Sequence, residues 1–355
     1  MRISVVGAGS WGTALAQLLA KNGHAVSLWV YEAKLAETLR RHHVNDLYLP
    51  GVFLPESVQI ETNIGSALTG AQAVIFAVPS HVTRPLLAQA APFLPQAIPM
   101  ISATKGIERQ SLLLMSQVIQ EVLGRKDTNR IAILSGPSFA QEVAIEHPTA
   151  VTLAASEMRL AVRLRRALTT PYFKLFLSND LIGVQLGGAL KNVLALCAGL
   201  LDGLGYPGNT KAALMTRGLS EMTQLGMAMG AQPLTFYGLS GMGDLFLTCT
   251  GTLSRNRRVG EKIGQGQRLS EILPQNKSVA EGVHTTESAV ALAQKYHVEM
   301  PIIHEMYRVL FEGKSPKHAL IDLMKQARGR ETHAYANIRN DPNVAAGHPS
   351  GTPLS

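Results

Sequence analysis

A short apolar run, Ile3 to Val6, passes directly into Gly-Ala-Gly-Ser-Trp-Gly and then into Ala14, Leu15, Leu18 and Leu19 at helical spacing. Strand, tight turn and helix follow without a spare residue. The helix is predicted to stop at Asn22 and Gly23, read as a left-handed cap pair, and a second strand to follow at Ala25 to Val30. This is one βαβ unit. Within it the glycines have distinct tasks: Gly7 makes the turn, Gly9 lets a pyrophosphate approach the backbone, and Gly12 permits close helix packing. The hexapeptide alone would suit any glycine-rich turn; its place between strand and helix is what points to a dinucleotide. Ser10 and Trp11 fall where amides at a helix N-terminus would meet phosphate, with the indole lining or capping the crevice.

Further strands are predicted at Ala73 to Val78, Pro99 to Ala103 and Ile131 to Leu134, separated by helical stretches. That alternation predicts an α/β fold: a Rossmann-like, doubly wound, mostly parallel sheet over residues 1–180. After about Asp180 the strand signals fade into amphipathic or buried helices with glycine-rich turns near Gly203 to Gly208 and Gly238 to Gly243. An all-helical domain is expected over 181–331. The proline- and glycine-containing end, 332–355, is expected to be a disordered tail. A 355-residue chain that is 46% hydrophobic and 16% charged can bury two cores, which agrees with that division.

Thirty-three basic against 25 acidic residues leave a net charge of +8, which suits an anionic ligand. The basic residues are scattered and aromatics are few, so nucleic acid is not expected as a partner. Cys197 and Cys249 cannot build a disulfide framework, and no Cys/His cluster or HExxH spacing suggests a metal. No signal peptide is evident, and the expected compartment is the cytoplasm. The most hydrophobic segment, Leu181 to Leu204, holds Gln185, Lys191, Asn192 and Asp202, and is read as a buried helix instead of a membrane span.

Lys191 is the strongest chemical clue. A buried ammonium costs several kcal/mol, of the order of a whole interaction, unless it is paired or neutralised, so either it snorkels to solvent or it has a task. Hydride transfer needs an alcohol proton to leave as the carbonyl forms, and a lysine can take it. Asn192 can orient the lysine or the substrate. Strand ends carry Lys105, for phosphate, a substrate oxygen or merely solvent, and Gly136 and Ser138, donors in a turn. Farther on, Asp244 and Thr248 lie one helical turn apart, Asp244 either positioning Lys191, binding a hydroxyl or capping a helix. Ser254, Arg255 and Asn256 suit a phosphate, because a guanidinium between neutral donors gives directed bonds; Arg257 and Arg258 are read as solvated. At the end of the second strand, Val30, Tyr31 and Glu32 give neither a clean ribose acceptor nor a phosphate clamp, so NAD and NADP both stay open.

With GAGSWG, NDLYLPG, ATKGIE, SGPSFA, GALKNV, SGMGDLFLTC, LSRNRRVG and SVAEG in order, the chain resembles the bacterial NAD(P)-dependent glycerol-3-phosphate dehydrogenases from Met1 to about Glu331. The resemblance implies reduction of dihydroxyacetone phosphate to sn-glycerol 3-phosphate, the backbone precursor of phospholipids. It implies Lys191 as proton acceptor, with Lys105, Gly136, Ser138, Asp244, Ser254, Arg255 and Asn256 around the substrate. It also implies cofactor contacts from Ser10, Trp11, Tyr31, Tyr48, Lys105, Ala140, Arg255, Val279 and Glu281. Many members carry a basic residue or histidine where Tyr31 stands, so the cofactor preference is not carried over. A 3-hydroxyacid dehydrogenase of the 6-phosphogluconate type is the second reading, and a non-enzymatic nucleotide-sensing module the third. The apolar second-domain helices are compatible with a homodimer and equally with packing inside one chain.

Overall fold

The glycine-rich turn and its flanking strands seed an eight-stranded sheet in the computed structural model, which describes residues 1–124, 128–206, 208–275 and 280–326. The strands are β1 (Arg2–Val6), β2 (Ala25–Trp29), β3 (Val44–Asn45), β4 (Leu49–Phe53), β5 (Gln59–Glu61), β6 (Ala73–Phe76), β7 (Met100–Ser102), β8 (Ile131–Ser135), β9 (Thr149–Ala155) and β10 (Phe173–Ser178). The helices interleaved with them are α1 (Ser10–Lys21), α2 (Ala33–His42), α3 (Ile64–Leu68), α4 (Ser80–Ala90), α5 (Met115–Val122), α6 (Ala140–Ala144) and α7 (Met158–Leu168). After the last strand come α8 (Leu181–Gly203), α9 (Asn209–Ala228), α10 (Asp244–Thr250), α11 (Arg255–Gly264), α12 (Leu269–Ile272), α13 (Glu281–Lys295), α14 (Pro301–Phe311) and α15 (Pro316–Gln326).

The order across the sheet is β10-β9-β8-β7-β6-β1-β2-β5, with β3 and β4 forming a separate antiparallel pair. All neighbours in the large sheet are parallel except β8 and β9. Because side chains alternate across a strand, the apolar runs feed two cores. Ile3, Val5 and Ile75 join Leu15 of α1 and Leu164 of α7 on one face, while Val6, Val74 and Phe76 join Leu87 of α4 and Ile119 of α5 on the other. The chain leaves β1 for β2 and β5, then returns to β6 on the opposite flank of β1. A crevice therefore opens beyond the C-terminal ends of β1 and β6, where open α/β sheets bind ligands.

Five strands escape the sequence reading, two of them the β3–β4 pair outside the large sheet. β5 is too short for a pattern, β9 is an alanine-containing run without two-residue alternation, and β10 shows such an alternation, buried Phe173 and Leu175 against exposed Lys174 and Phe176, that was legible. At the end of α1 only Gly23 is left-handed, with φ +80°; Asn22, at φ −82°, is not, which corrects the expected cap pair. The stretch 332–355 lies outside the described residues.

In the helical part α8 runs through the centre. It alone among the described residues is long and apolar enough to cross a membrane, yet 89% of its most apolar window is buried inside the protein. Its polar residues are accounted for one by one: Gln185 bonds Ser116, and Asp202 pairs with Arg257 and Lys211. Gly199 and Gly203 of α8 face Gly260 and Gly264 of α11 so closely that a Cβ on any of the four would collide with the opposing backbone. This contact holds the N-terminus of α11 beside the middle of α8, where Lys191 and Asn192 lie.

Candidate active site

A cleft of about 1060 Å³ runs from the glycine turn of β1 to the middle of α8. The ends of β6 and β7 form one wall, and the N-terminus of α11 with Glu281 of α13 forms the other. Of the residues singled out in the sequence, Gly7, Gly9, Ser10, Trp11, Tyr31, Tyr48, Lys105, Ser138, Ala140, Lys191, Asn192, Thr248, Ser254, Arg255, Asn256 and Glu281 line it. Gly12, Gly136 and Asp244 stand behind the wall. Val279 lies outside the described residues.

The turn fits a dinucleotide. Gly7 has φ +113°, and a Cβ there would meet the Ala77 carbonyl at 2.7 Å; one on Gly12 would strike the Gly7 carbonyl. A Cβ on Gly9 would meet nothing within 4 Å, so the open space beside it is free for a ligand. No side chain caps α1, leaving its first amides directed at the cleft. Trp11 lines the same space, and its indole nitrogen is buried without a hydrogen-bond partner. Asn45, which the sequence reading passed over within NDLYLPG, fixes the turn: its Nδ2 donates to the Ala8 carbonyl at 2.8 Å and the Thr13 hydroxyl at 2.7 Å.

At the other end, two lysines share one carboxylate. Lys191 Nζ lies 2.9 Å from Asp244 Oδ1 and donates to Thr248 Oγ1 at 2.7 Å; Lys105 Nζ lies 2.6 Å from Asp244 Oδ2 and donates to the Gly136 carbonyl at 2.9 Å. Lys191 is 7% exposed and Asp244 1%, so Lys191 does not snorkel to solvent. Asp244 does not cap a helix either: Gly243 occupies that position and a π-helical turn, Leu239–Gly243, delivers Asp244 into the first turn of α10. Gly187 of α8 sits against the backbone of that turn, where a Cβ would not fit, so the turn approaches α8 closely enough for the carboxylate to reach Lys191. Burial would raise the Asp244 carboxyl, but the two ammonium groups outweigh it and hold the group below the usual carboxylate range. Burial also brings Lys105 down to about 8, against the opposing pull of Asp244 and with the help of neighbouring Lys191.

Asn192 Oδ1 accepts from Asn256 Nδ2 at 2.9 Å, and Asn256 Oδ1 accepts from the Gly282 amide at 3.0 Å, joining α8, α11 and α13. Ser254 caps α11, accepting from the Arg257 amide at 3.2 Å. Arg255 reaches back to the Ser10 hydroxyl and pairs with no carboxylate among the described residues. Burial and Arg258 both work against its charge, a cost that an incoming anion would relieve. Arg257 is not solvated as expected: its Nε meets Asp202 at 2.6 Å, because α8 and α11 are close enough for the pair to form. Glu281 holds Ser80, accepting from its amide at 3.1 Å and its hydroxyl at 2.8 Å. Ser138 donates to the Gly136 carbonyl at 2.9 Å.

Residues 2–161 match the family model for the NAD-dependent glycerol-3-phosphate dehydrogenase N-terminus, and residues 180–321 match the one for its C-terminus. The chain belongs to that family. A glycerol-3-phosphate dehydrogenase [NAD(P)+] of Citrifermentans bemidjiense is 54% identical over 323 residues, 91% of this chain and 96% of that protein. One from Myxococcus xanthus is 48% identical, over 91% of this chain and 97% of that protein. The crystal structure of a glycerol-3-phosphate dehydrogenase from Coxiella burnetii is similar at TM-score 0.87 and 37% identity, covering 92% of this chain and 99% of that one. A D-mandelate dehydrogenase structure, at 13% identity and TM-score 0.60, shares the fold alone. As a glycerol-3-phosphate dehydrogenase, the protein is an NAD(P)-dependent oxidoreductase with a small-molecule substrate. The hydroxyacid and nucleotide-sensing readings are set aside.

Proposed function

We propose that this glycerol-3-phosphate dehydrogenase seats the dinucleotide against the glycine turn, Ser10, Trp11, Tyr48, Ala140 and Glu281, and the three-carbon phosphate between Lys105, Ser138, Lys191, Asn192, Thr248, Ser254, Arg255 and Asn256. The observation that carries this is the placement of two lysines on one buried carboxylate at the end of a cleft that begins at the glycine turn. When bound, the nicotinamide supplies hydride to the carbonyl or receives it from the alcohol. Lys191 Nζ gives the proton to the forming alkoxide in reduction and takes it back in oxidation. Asp244 and Thr248 aim that nitrogen, and Lys105 offers a second donor to the substrate oxygens. The roles assigned to the 1–180 and 181–331 regions follow: the first carries the nucleotide and the second closes on the phosphate. Cytoplasmic location belongs to the same reading, supported by the cysteine usage, whereas the apolar helix α8 packs inside the chain and lends a homodimer no support.

The test is dihydroxyacetone phosphate-dependent oxidation of NADH and NADPH, followed in wild type and in Arg255→Ala. The variant raises KM for dihydroxyacetone phosphate and, through lost alignment, lowers kcat as well. Because Arg255 touches Ser10 at the start of α1, the KM for dinucleotide rises too. Lysine rescues only in part, since a point charge lacks the two-pronged geometry. Unphosphorylated dihydroxyacetone is a very poor substrate and nearly insensitive to the change. Equal losses on the two substrates would take phosphate recognition away from Arg255.

A second expectation concerns pH. Lys105, brought to about 8 by burial, is an ammonium below that pH and neutral above it. The kcat/KM for dihydroxyacetone phosphate reduction, which reports the free enzyme, therefore falls above about pH 8. A profile of kcat/KM flat to pH 10 would remove Lys105 from substrate binding.

A further inference from the structure

The end of β2 carries an arrangement that bears on cofactor choice. Trp29 pairs with Val6 in the β1–β2 register, so the residues just beyond it flank the glycine turn. Tyr31, the first side chain beyond the strand with a polar end, is 80% exposed and leans on the Trp29 ring, at 6.2 Å between centroids. Glu32 lines the cleft beside it, and Tyr48 donates its hydroxyl to Glu32 Oε1 at 2.7 Å. No cation among the described residues pairs with Glu32, and no amide of α2 is capped by it, so the second carboxylate oxygen is left for a ligand. The Tyr48 backbone is itself fixed at the glycine-turn end of the cleft. Its carbonyl accepts from the Ser10 hydroxyl at 2.7 Å, and its amide donates to Asn45 Oδ1 at 3.1 Å. The segment that fixes the phosphate-binding turn thus also fixes a carboxylate at the far end of the nucleotide.

We propose that Tyr48 is a positioning residue for cofactor choice: its hydroxyl holds the Glu32 carboxylate where it accepts from the adenosine ribose hydroxyls and repels a 2′-phosphate. The inference rests on the reading that the dinucleotide lies in this cleft. An anion fixed beside a ribose gains a hydrogen bond from the free 2′-hydroxyl, whereas a phosphate in its place meets like charge. A glutamate without its tyrosine keeps the charge but loses the fixed direction, so Tyr48 affects the discrimination and not the sign of the field. Tyr48 also burdens nothing else in the proton-transfer site, since its hydroxyl has no contact with Lys191 or Asp244.

The experiment compares kcat/KM for NADH and NADPH, at saturating dihydroxyacetone phosphate, in wild type, Tyr48→Phe, Glu32→Gln and the double variant. The ratio of the two cofactors cancels the fraction of active protein, so partial misfolding does not disturb it. Wild type is expected to favour NADH by about 10-fold or more, Glu32→Gln to lower the ratio about 10-fold, and Tyr48→Phe to lower it about 3-fold, consistent with losing one charge-assisted hydrogen bond. In the double variant, Tyr48→Phe adds nothing to Glu32→Gln. An unchanged ratio in Tyr48→Phe, or a wild type that favours NADPH, overturns the proposal. Gly9→Val separates the two levels of the argument: it should abolish fluorescence-detected binding of both NADH and NADPH. If it binds them as wild type does, the cleft reading fails; if it does not bind and the Tyr48→Phe ratio is unmoved, only the Tyr48 assignment fails.

Discussion

Replacing Lys191 with methionine lowers kcat by about 10²-fold to 10⁴-fold in both directions while dinucleotide binding survives. The stem of the side chain is enclosed by α8 and its neighbours, and methionine keeps most of that volume without the ammonium. Asp244 retains Lys105 at 2.6 Å, so the substitution does not leave the carboxylate without a partner. Thr248 keeps its bond to the Asp244 carbonyl at 2.6 Å whatever stands at position 191. The variant should therefore fold and bind NADH, which a fluorescence titration measures, while steady-state assays read the loss of turnover. Turnover equal to wild type would take the proton transfer away from Lys191.

Much of this was legible because the chemistry is local in sequence. A glycine turn between a strand and a helix is a contiguous pattern, and a lysine inside an apolar helix stands out against its neighbours. The sheet order was less accessible. β9 joins β8 antiparallel and β10 follows at the sheet edge; the alanine-containing β9 carries weak pattern, and the alternation in β10 does not by itself say which strand it pairs with. The site's second layer was out of reach for a different reason. Asn45 and Ala8, Glu32 and Tyr48, or Arg257 and Asp202 are far apart in the chain, and each side chain taken alone reads as a turn residue or a solvated charge. Asp244 is intermediate: the sequence left it as a partner of Lys191, a hydroxyl ligand or a cap, and only the π-helical turn before α10 chooses among these. That the same carboxylate also holds Lys105 has no trace in the spacing at all.

This double attachment makes Asp244→Asn a severe change despite its conservative shape. Asparagine keeps the shape, but its amide can accept from one lysine only and turns its NH₂ towards the other. Two ammonium groups then face one another in a buried site without a compensating charge. Breaking a buried pair in this way costs on the order of 3 kcal/mol of stability, and kcat should fall at least about 10²-fold as Lys191 loses its alignment. The pH dependence distinguishes charge from shape. The native Asp244 pKa lies below its unfolded value, near 3.9, so its stabilisation is present above that value and is lost as pH falls through the native one. The difference in stability between wild type and variant should accordingly be full at neutral pH and shrink in acid. Lys105 behaves oppositely: with a native value of about 8 against 10.5, the unfolded chain binds more protons between the two, and stability rises with pH across that window. Removing the carboxylate takes away the negative charge that favours the Lys105 ammonium, so the fall in kcat/KM for dihydroxyacetone phosphate moves below pH 8 in the variant. Denaturant melts at neutral and acid pH, with pH–rate profiles of both proteins, measure each of these. A variant as stable and active as wild type at neutral pH would mean that the two lysines do not depend on Asp244, and the proton-transfer site would have to be rebuilt around Thr248 alone.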